Sequence, residues 1–257
     1  ALVESNGDIE EAIHILRKKG IASAVKKGGR ETNEGMIGIA SNNTAHFMVE
    51  INAETDFVIQ NDRFKAFMDD ICSEIAESAP KSVEDFLSQK YSKNPQLTID
   101  EYRADIVQTL GENIQIKRIK EIKKAENGSV GLYSHMGGKI VCCVEIKGSD
   151  GVEALAKEVA MHVAAESPDY LNPEDIAQDV IDKEEEIARS QLKNKPPEIM
   201  DKIINGKLNA FYEQVCLSKQ KFVKDSSITV GKYIQDQGKK IGKDLSLLNF
   251  ERWQIGE

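Results

Sequence analysis

The sequence predicts an α+β protein of two related halves, each an antiparallel sheet with packing helices. Three observations carry this. Apolar residues alternate in paired runs, the mark of half-buried hairpins, while others recur at helical spacing. The hairpin-then-helix order occurs twice. Two amphipathic segments joined by Lys195-Pro196-Pro197 then read as an added helical hairpin. The expected organisation is a remnant helical segment and linker at 1–35, a first half at 36–128 and a second half at 129–257. The helical hairpin is inserted at about 173–212.

In order, "GDIEEAIHILRKKG" reads as a short helix capped by Asp8 with Glu11 three residues on. Ile9, Ala12, Ile13 and Leu16 would form its apolar stripe, and Gly20 would end it. A helix this short needs partners. The chain opens on Ala1 rather than Met, so a trimmed N-terminus is expected. "GMIGIA" and "AHFMVEIN" form strands around "SNNT". Ala45, Phe47, Val49 and Ile51 share one face, and His46, Met48 and Glu50 the other. The loop "AETDFVIQND" follows, with a helix from about Asp62 carrying Phe64, Phe67, Met68, Ile71 and Ile75. After "SAPKS" a polar helical stretch runs from Val83 to Leu110, interrupted near Asn94-Pro95, and "GENIQIKRI" is a strand.

The pattern returns in "VGLYSHMGGKIVCCVEIK" and "SDGVEALAKEVAMHVAAESP". Val49-Glu50-Ile51 matches Val144-Glu145-Ile146 at an offset of 95, and Ala76-Glu77-Ser78 matches Ala165-Glu166-Ser167 at 89. The first copy thus carries six more residues, and they fall in the loop around Phe57. In the helical hairpin, Val180, Glu184, Ile187 and Gln191 line one seam, and Ile199, Ile203 and Ala210 the other. Such a thin seam suits a partner or a second copy in a coiled coil. A short helix capped by Ser227 or Thr229 and a last strand ending "FERWQIGE" close the chain.

Composition narrows the function. The net charge of −9 argues against a bulk nucleic-acid binder. No apolar run approaches a membrane span, no signal peptide is visible, and a cytoplasmic place is expected. The four cysteines form no CxxC pair, so neither a zinc ribbon nor a redox dithiol is signalled; no metal or cofactor is expected. "TVGKY" lacks the upstream glycine of a phosphate loop, and no GxGxxG, HExxH or GxSxG occurs. His162 reads as a satisfied core histidine, His14 as solvated or helix-packing, and "IKRIKEIKK" as a strand edge with a solvated basic face. No catalytic residue is assigned. A binding protein acting through exposed loops remains. For Phe57 the pattern alone leans slightly toward packing back over its own sheet.

"ETDFV" after a strand, "GENI" at Gly111–Ile114, "AMHVAAESP" and "NGDIEEAIHILRKKG" occur in this order around the duplicated core. Together they resemble the bacterial elongation factor Ts family over essentially the whole chain. The family's N-terminal ubiquitin-associated-like domain has three helices, of which only the last is evident here. The C-terminal helical module of some members is not evident after Trp253.

The resemblance implies a guanine-nucleotide exchange factor without covalent chemistry, acting on GDP-bound and nucleotide-free elongation factor Tu. It implies that Thr55, Asp56, Phe57 and Val58 form a wedge near the magnesium side of the nucleotide pocket. Leu110, Gly111, His135 and Met136 would touch the same domain. Val180, Ile187, Ile199 and Ile203 would serve a homodimer or accessory contact. Direct contact with nucleic acid or membrane is not expected. Two other readings compete. One is an interaction scaffold working through the helical hairpin, with Phe57 tucked inward. The other is a hydrolase using Cys142 or Cys143 with a histidine such as His135, beside Asp56.

Overall fold

The computed structural model describes residues 1–190 and 197–257, apart from the side chains of 197–199. The protein is α+β with small antiparallel sheets. It divides into two compact units. The first comprises residues 1–124, 136–140 and 253–257, and the second residues 125–135 and 141–252.

In the first unit, α1 (Ile9–Lys27) is capped by Asp8, whose side chain accepts from the Glu11 N–H. It does not stop at Gly20 but runs on to Lys27. Of the expected stripe only Ala12 is buried. Ile9, Ile13 and Leu16 are exposed, and the buried positions are Ala12, Gly20 and Ala24. Small residues let the helix lie close to its neighbour: a Cβ on Gly20 would stand 2.9 Å from Gln108 Oε1. Arg17 Nε donates to Glu101 Oε1 at 2.9 Å and fixes the crossing.

Strands β1 (Glu34–Ser41) and β2 (Ala45–Ala53) form the expected hairpin, with Gly38 opposite Val49. The segment expected to stay a loop is a one-turn helix, α2 (Asp56–Gln60). Helix α3 (Asp62–Ser78) then buries Phe64, Phe67, Met68, Ile71 and Ile75. Helix α4 (Val83–Ser88) is capped by Ser82.

The interruption at Asn94-Pro95 proves to be a small hairpin, β3 (Lys90–Tyr91) with β4 (Asn94–Thr98). Pro95 lacks an N–H and suits such an edge rather than a helix. Helix α5 (Ile99–Leu110) begins with a Thr98/Glu101 capping box. Strand β5 (Ile114–Lys123) completes a sheet of order β1-β2-β5.

Strand β2 is central and buried on both faces: Phe47, Val49 and Ile51 on one, Met48 and Glu50 on the other. The fully buried Glu50 is answered by a bulge. The β2–β5 register shifts between Glu50 and Ile51, so Lys117 is the extra residue. Both Lys117 (3.3 Å) and Arg118 (2.6 Å) therefore reach one carboxylate. Arg118 also lies over the Trp253 ring, 4.2 Å from its centroid.

In the second unit, β6 (Gly128–His135) and β7 (Ile140–Lys147) lead to α6 (Glu153–Glu166), which lies on β6. The approach is so close at Gly131 that a Cβ would stand 2.1 Å from the Lys157 nitrogen. The helical hairpin is α7 (Gln178–Ser190) and α8 (Pro197–Val215). Then come β8 (Lys221–Phe222), β9 (Asp225–Thr229), α9 (Val230–Lys240) and β10 (Ser246–Gln254), in a sheet of order β10-β7-β6. Thr229, rather than Ser227, caps α9.

The duplication is more complete than the sequence comparison found. The pairing Lys90↔Thr98 returns as Lys221↔Thr229. Helices α3 and α6 are C-capped by Ala79 and Ser167, both left-handed at φ 45 and 46. That sets the helix offset at 88, one less than the sequence match suggested.

Candidate functional site

Helix α2 is short because its ends are set by other bonds. Thr55 is extended (φ −131, ψ 157), and Asn61 already caps α3 by accepting from the Arg63 N–H. One turn has room for two inward side chains, and Val58 and Ile59 take those places in the first unit's core. Asp56, Phe57 and Gln60 are left outward. Phe57 is 84% exposed. The pattern's lean toward a ring packed at home is thus corrected, since Val58 and Ile59 already occupy the space beneath.

Leu110, half-buried, ends α5, and the exposed Gly111 turns the chain in the left-handed region at φ 82. The structure brings this turn and the start of α2 together by crossed hydrogen bonds. The Thr55 N–H donates to Glu112 Oε2 at 3.0 Å, and the Thr55 hydroxyl donates to Glu112 Oε1 at 2.7 Å. In the other direction, the Asn113 N–H donates to Glu54 Oε1 at 2.6 Å. That bond, helped by Arg30 at 3.2 Å, holds the Glu54 carboxyl below its usual range. The fully buried Asn113 also donates through Nδ2 to Arg30 O at 2.9 Å.

Residues 54, 112 and 113 lie within the "ETDFV" and "GENI" motifs, but the sequence reading gives them no role.

His135 is exposed at the end of β6, its Nδ1 3.1 Å from the Tyr133 oxygen. Met136 opens the following turn and is exposed. In the helical hairpin the residues sort differently from the expected seam. Ala188, Ile204 and Leu208 are its buried centre, with Ile181, Ile203 and Tyr212 against them. Val180 packs instead near Ile176, Val215 and Cys216. Ile187 is half-exposed on α7. The side chain of Ile199, and all of Gln191, lie outside the described residues.

Cys142 and Cys143 are buried in β7, so the hydrolase reading finds no reachable thiol there. His162 is buried with both ring nitrogens engaged by Gln220 and the Val223 N–H, as a core histidine should be. Among the described residues, no group of three or more His, Cys, Asp or Glu could hold a metal ion, and no helix is long and apolar enough to cross a membrane.

A family model described as elongation factor TS matches residues 54–257. This chain belongs to the elongation factor Ts family. It is 55% identical over 257 residues to elongation factor Ts of Protochlamydia amoebophila (strain UWE25), covering 100% of this chain and 91% of that one. It is 43% identical to elongation factor Ts of Chlamydia caviae over 256 residues, again covering 100% and 91%. Elongation factor Ts of Trichlorobacter lovleyi is 39% identical over 268 residues, covering 100% of this chain and 86% of the relative. Membership makes this chain a translation elongation factor.

Proposed function

We propose that this chain promotes release of GDP from elongation factor Tu in the cytoplasm, so that GTP can reload. It binds both the GDP-bound and the nucleotide-free GTPase and performs no covalent step. The observation that carries the reading is Phe57, a large apolar ring held outward on a helix whose inner face is already filled. Such a side chain gains little at home and fits a partner's pocket.

Energetics limit how the wedge can work. Coupling is reciprocal: whatever weakens GDP binding also lets incoming nucleotide expel the factor. Speeding release a thousandfold by weakening bound GDP takes roughly 4 kcal/mol. A buried aromatic supplies about 1.5–3 kcal/mol. Phe57 therefore needs help from Asp56, Leu110, Gly111, His135 and Met136. Asp56 competes for the polar groups that organise the magnesium shell, and loss of that metal's charge loosens the phosphates. The helical hairpin serves an accessory or homodimer contact, for which Ile187 is the exposed apolar candidate.

The test is stopped-flow release of a fluorescent GDP analogue from elongation factor Tu. Release should accelerate with concentration of this chain and then saturate. A release rate unmoved at saturating protein would overturn the proposal.

A further inference from the structure

We infer that Glu112 is a positioning residue for Phe57: its carboxylate takes both donors of Thr55 and so sets the direction of α2 before any partner arrives. The inference rests on the exchange reading and extends it to a residue that acts through Thr55 and α2.

Three features lead to it. First, Thr55 stands at the N-cap of α2, where a threonine hydroxyl ordinarily accepts from the helix's own N–H groups. Here it makes no such cap bond and donates to Glu112 instead. Second, α2 has five residues, too few to hold itself. Val58 and Ile59 anchor its inner face, and its entry is fixed by the two bonds at 3.0 and 2.7 Å. Third, Glu112 follows directly on Gly111, where α5 ends on the first unit's core. The crossed bond from Asn113 to Glu54 holds the same two segments from the other side. Residues 55–58 and 110–111 are therefore presented as one surface. Without Glu112, part of that order has to be supplied while the GTPase is being opened, which slows the step rather than the encounter.

The experiment uses the full chain with GDP-loaded elongation factor Tu. Glu112→Ala should lower the saturated release rate about tenfold, the scale of one lost charge-assisted hydrogen-bond pair. The KM for the GTPase should move less than about twofold, since docking elsewhere is kept. Glu112→Gln keeps an acceptor for the Thr55 N–H and an amide for its hydroxyl, and should restore most of the rate. In a Phe57→Ala background, Glu112→Ala should add little, because it acts through that ring.

Thr55→Val provides a second variant of near-equal size should Glu112→Ala fail to fold, and it should slow release in the same way. Hydrogen exchange of amides 56–60 in the unbound chain should quicken in either variant. That readout stands even where wild-type protein releases no GDP, an outcome that would sink the exchange reading alone. A folded Glu112→Ala protein with wild-type release and wild-type exchange at 56–60 overturns the inference. So does a full tenfold loss that persists without Phe57.

Discussion

The two halves of the duplication solve the same joinery problem with different chemistry. In the first, the Asp70 carboxylate collects Tyr91 and Tyr102 hydroxyls at 2.8 Å each and Lys93 at 2.5 Å. In the second, 88 positions on, Glu158 collects Tyr233 at 2.5 Å and Lys224 at 3.1 Å. Tyr91 stacks on Tyr102, and Phe222 on Tyr233, each pair with centroids 4.3 Å apart. Four residues further along the helix, Glu74 accepts from the Ser92 N–H at 3.2 Å, and His162 from the Val223 N–H at 3.1 Å. On the central strand, Glu50 meets Arg118, and its counterpart Glu145 meets Asn249 at 3.1 Å. The fold requires an acceptor for each small hairpin's tip and a partner for each strand acid. It does not dictate which side chain answers. The halves diverge most where they carry extra chain, α2 in the first and the α7–α8 hairpin in the second.

The largest difference should appear at the strand acids. Arg118→Ala leaves Glu50 fully buried with Lys117 alone, and should cost about 3 kcal/mol in urea unfolding. Asn249→Ala removes an exposed contact and should stay within about 0.5 kcal/mol. Equal losses would break the comparison, because they would mean that burial does not separate the two sites.

Phe57→Ala tests the chain that only the first half carries. It should leave stability nearly unchanged, because the ring is exposed, and lower GDP release from elongation factor Tu about tenfold, the effect of losing most of one hot spot. An unaltered rate in a folded variant would count against the wedge.

Much of this was legible in advance, and the rest failed for identifiable reasons. The β1–β2 and β6–β7 hairpins follow from alternation and turn residues, which are local signals. Helix α1 was cut short because Gly20 reads as a stop. Gly20 is in fact buried inside the helix, facing the ends of the Gln108 and Asp105 side chains, a tertiary setting that local signals do not show. The β3–β4 and β8–β9 hairpins escaped because strands of two and five residues carry no period to count. The offset of 89 came from a chance Ala-Glu-Ser match one residue out of step with the helix ends. Phe57 could not be placed from pattern because exposure depends on Val58 and Ile59 filling the space beneath it. Glu112 stands in the "GENI" motif, but its role could not be read because its partner is 57 positions away.

A smaller effect should separate the two tyrosine clusters. Tyr233→Phe leaves Glu158 with Lys224 alone, since Phe222 has no hydroxyl, and should cost about 1 kcal/mol. Tyr102→Phe leaves Asp70 with Tyr91 and Lys93, and should cost roughly half as much. Spectroscopic titration gives a parallel check. Burial and the Glu158 bond push the Tyr233 phenol up to about 12, and burial and Asp70 raise Tyr102 as well.

The smallest effect concerns the acceptor at the second hairpin tip. A backbone N–H can only donate, so His162 Nδ1 must carry a lone pair opposite Val223, and its Nε2–H donates to Gln220 Oε1 at 3.0 Å. Gln220 is held in that sense by its own amide, which donates to Gln214 O at 2.8 Å and Glu166 O at 3.3 Å. Protonating the ring would set two N–H groups against each other. Burial lowers the His162 pKa below 6.5, with the Gln220 bond and the Glu166 charge only partly opposing it. A base whose pKa is depressed by folding stabilises the folded state fully above the unfolded value. That contribution is lost as pH falls through the folded one. Between pH 7.5 and 6.0 a single histidine can remove no more than about 0.8 kcal/mol. His162→Gln keeps an acceptor and a donor but does not titrate, and should flatten that part of the urea-midpoint profile. An unchanged slope in His162→Gln would place the pH sensitivity elsewhere.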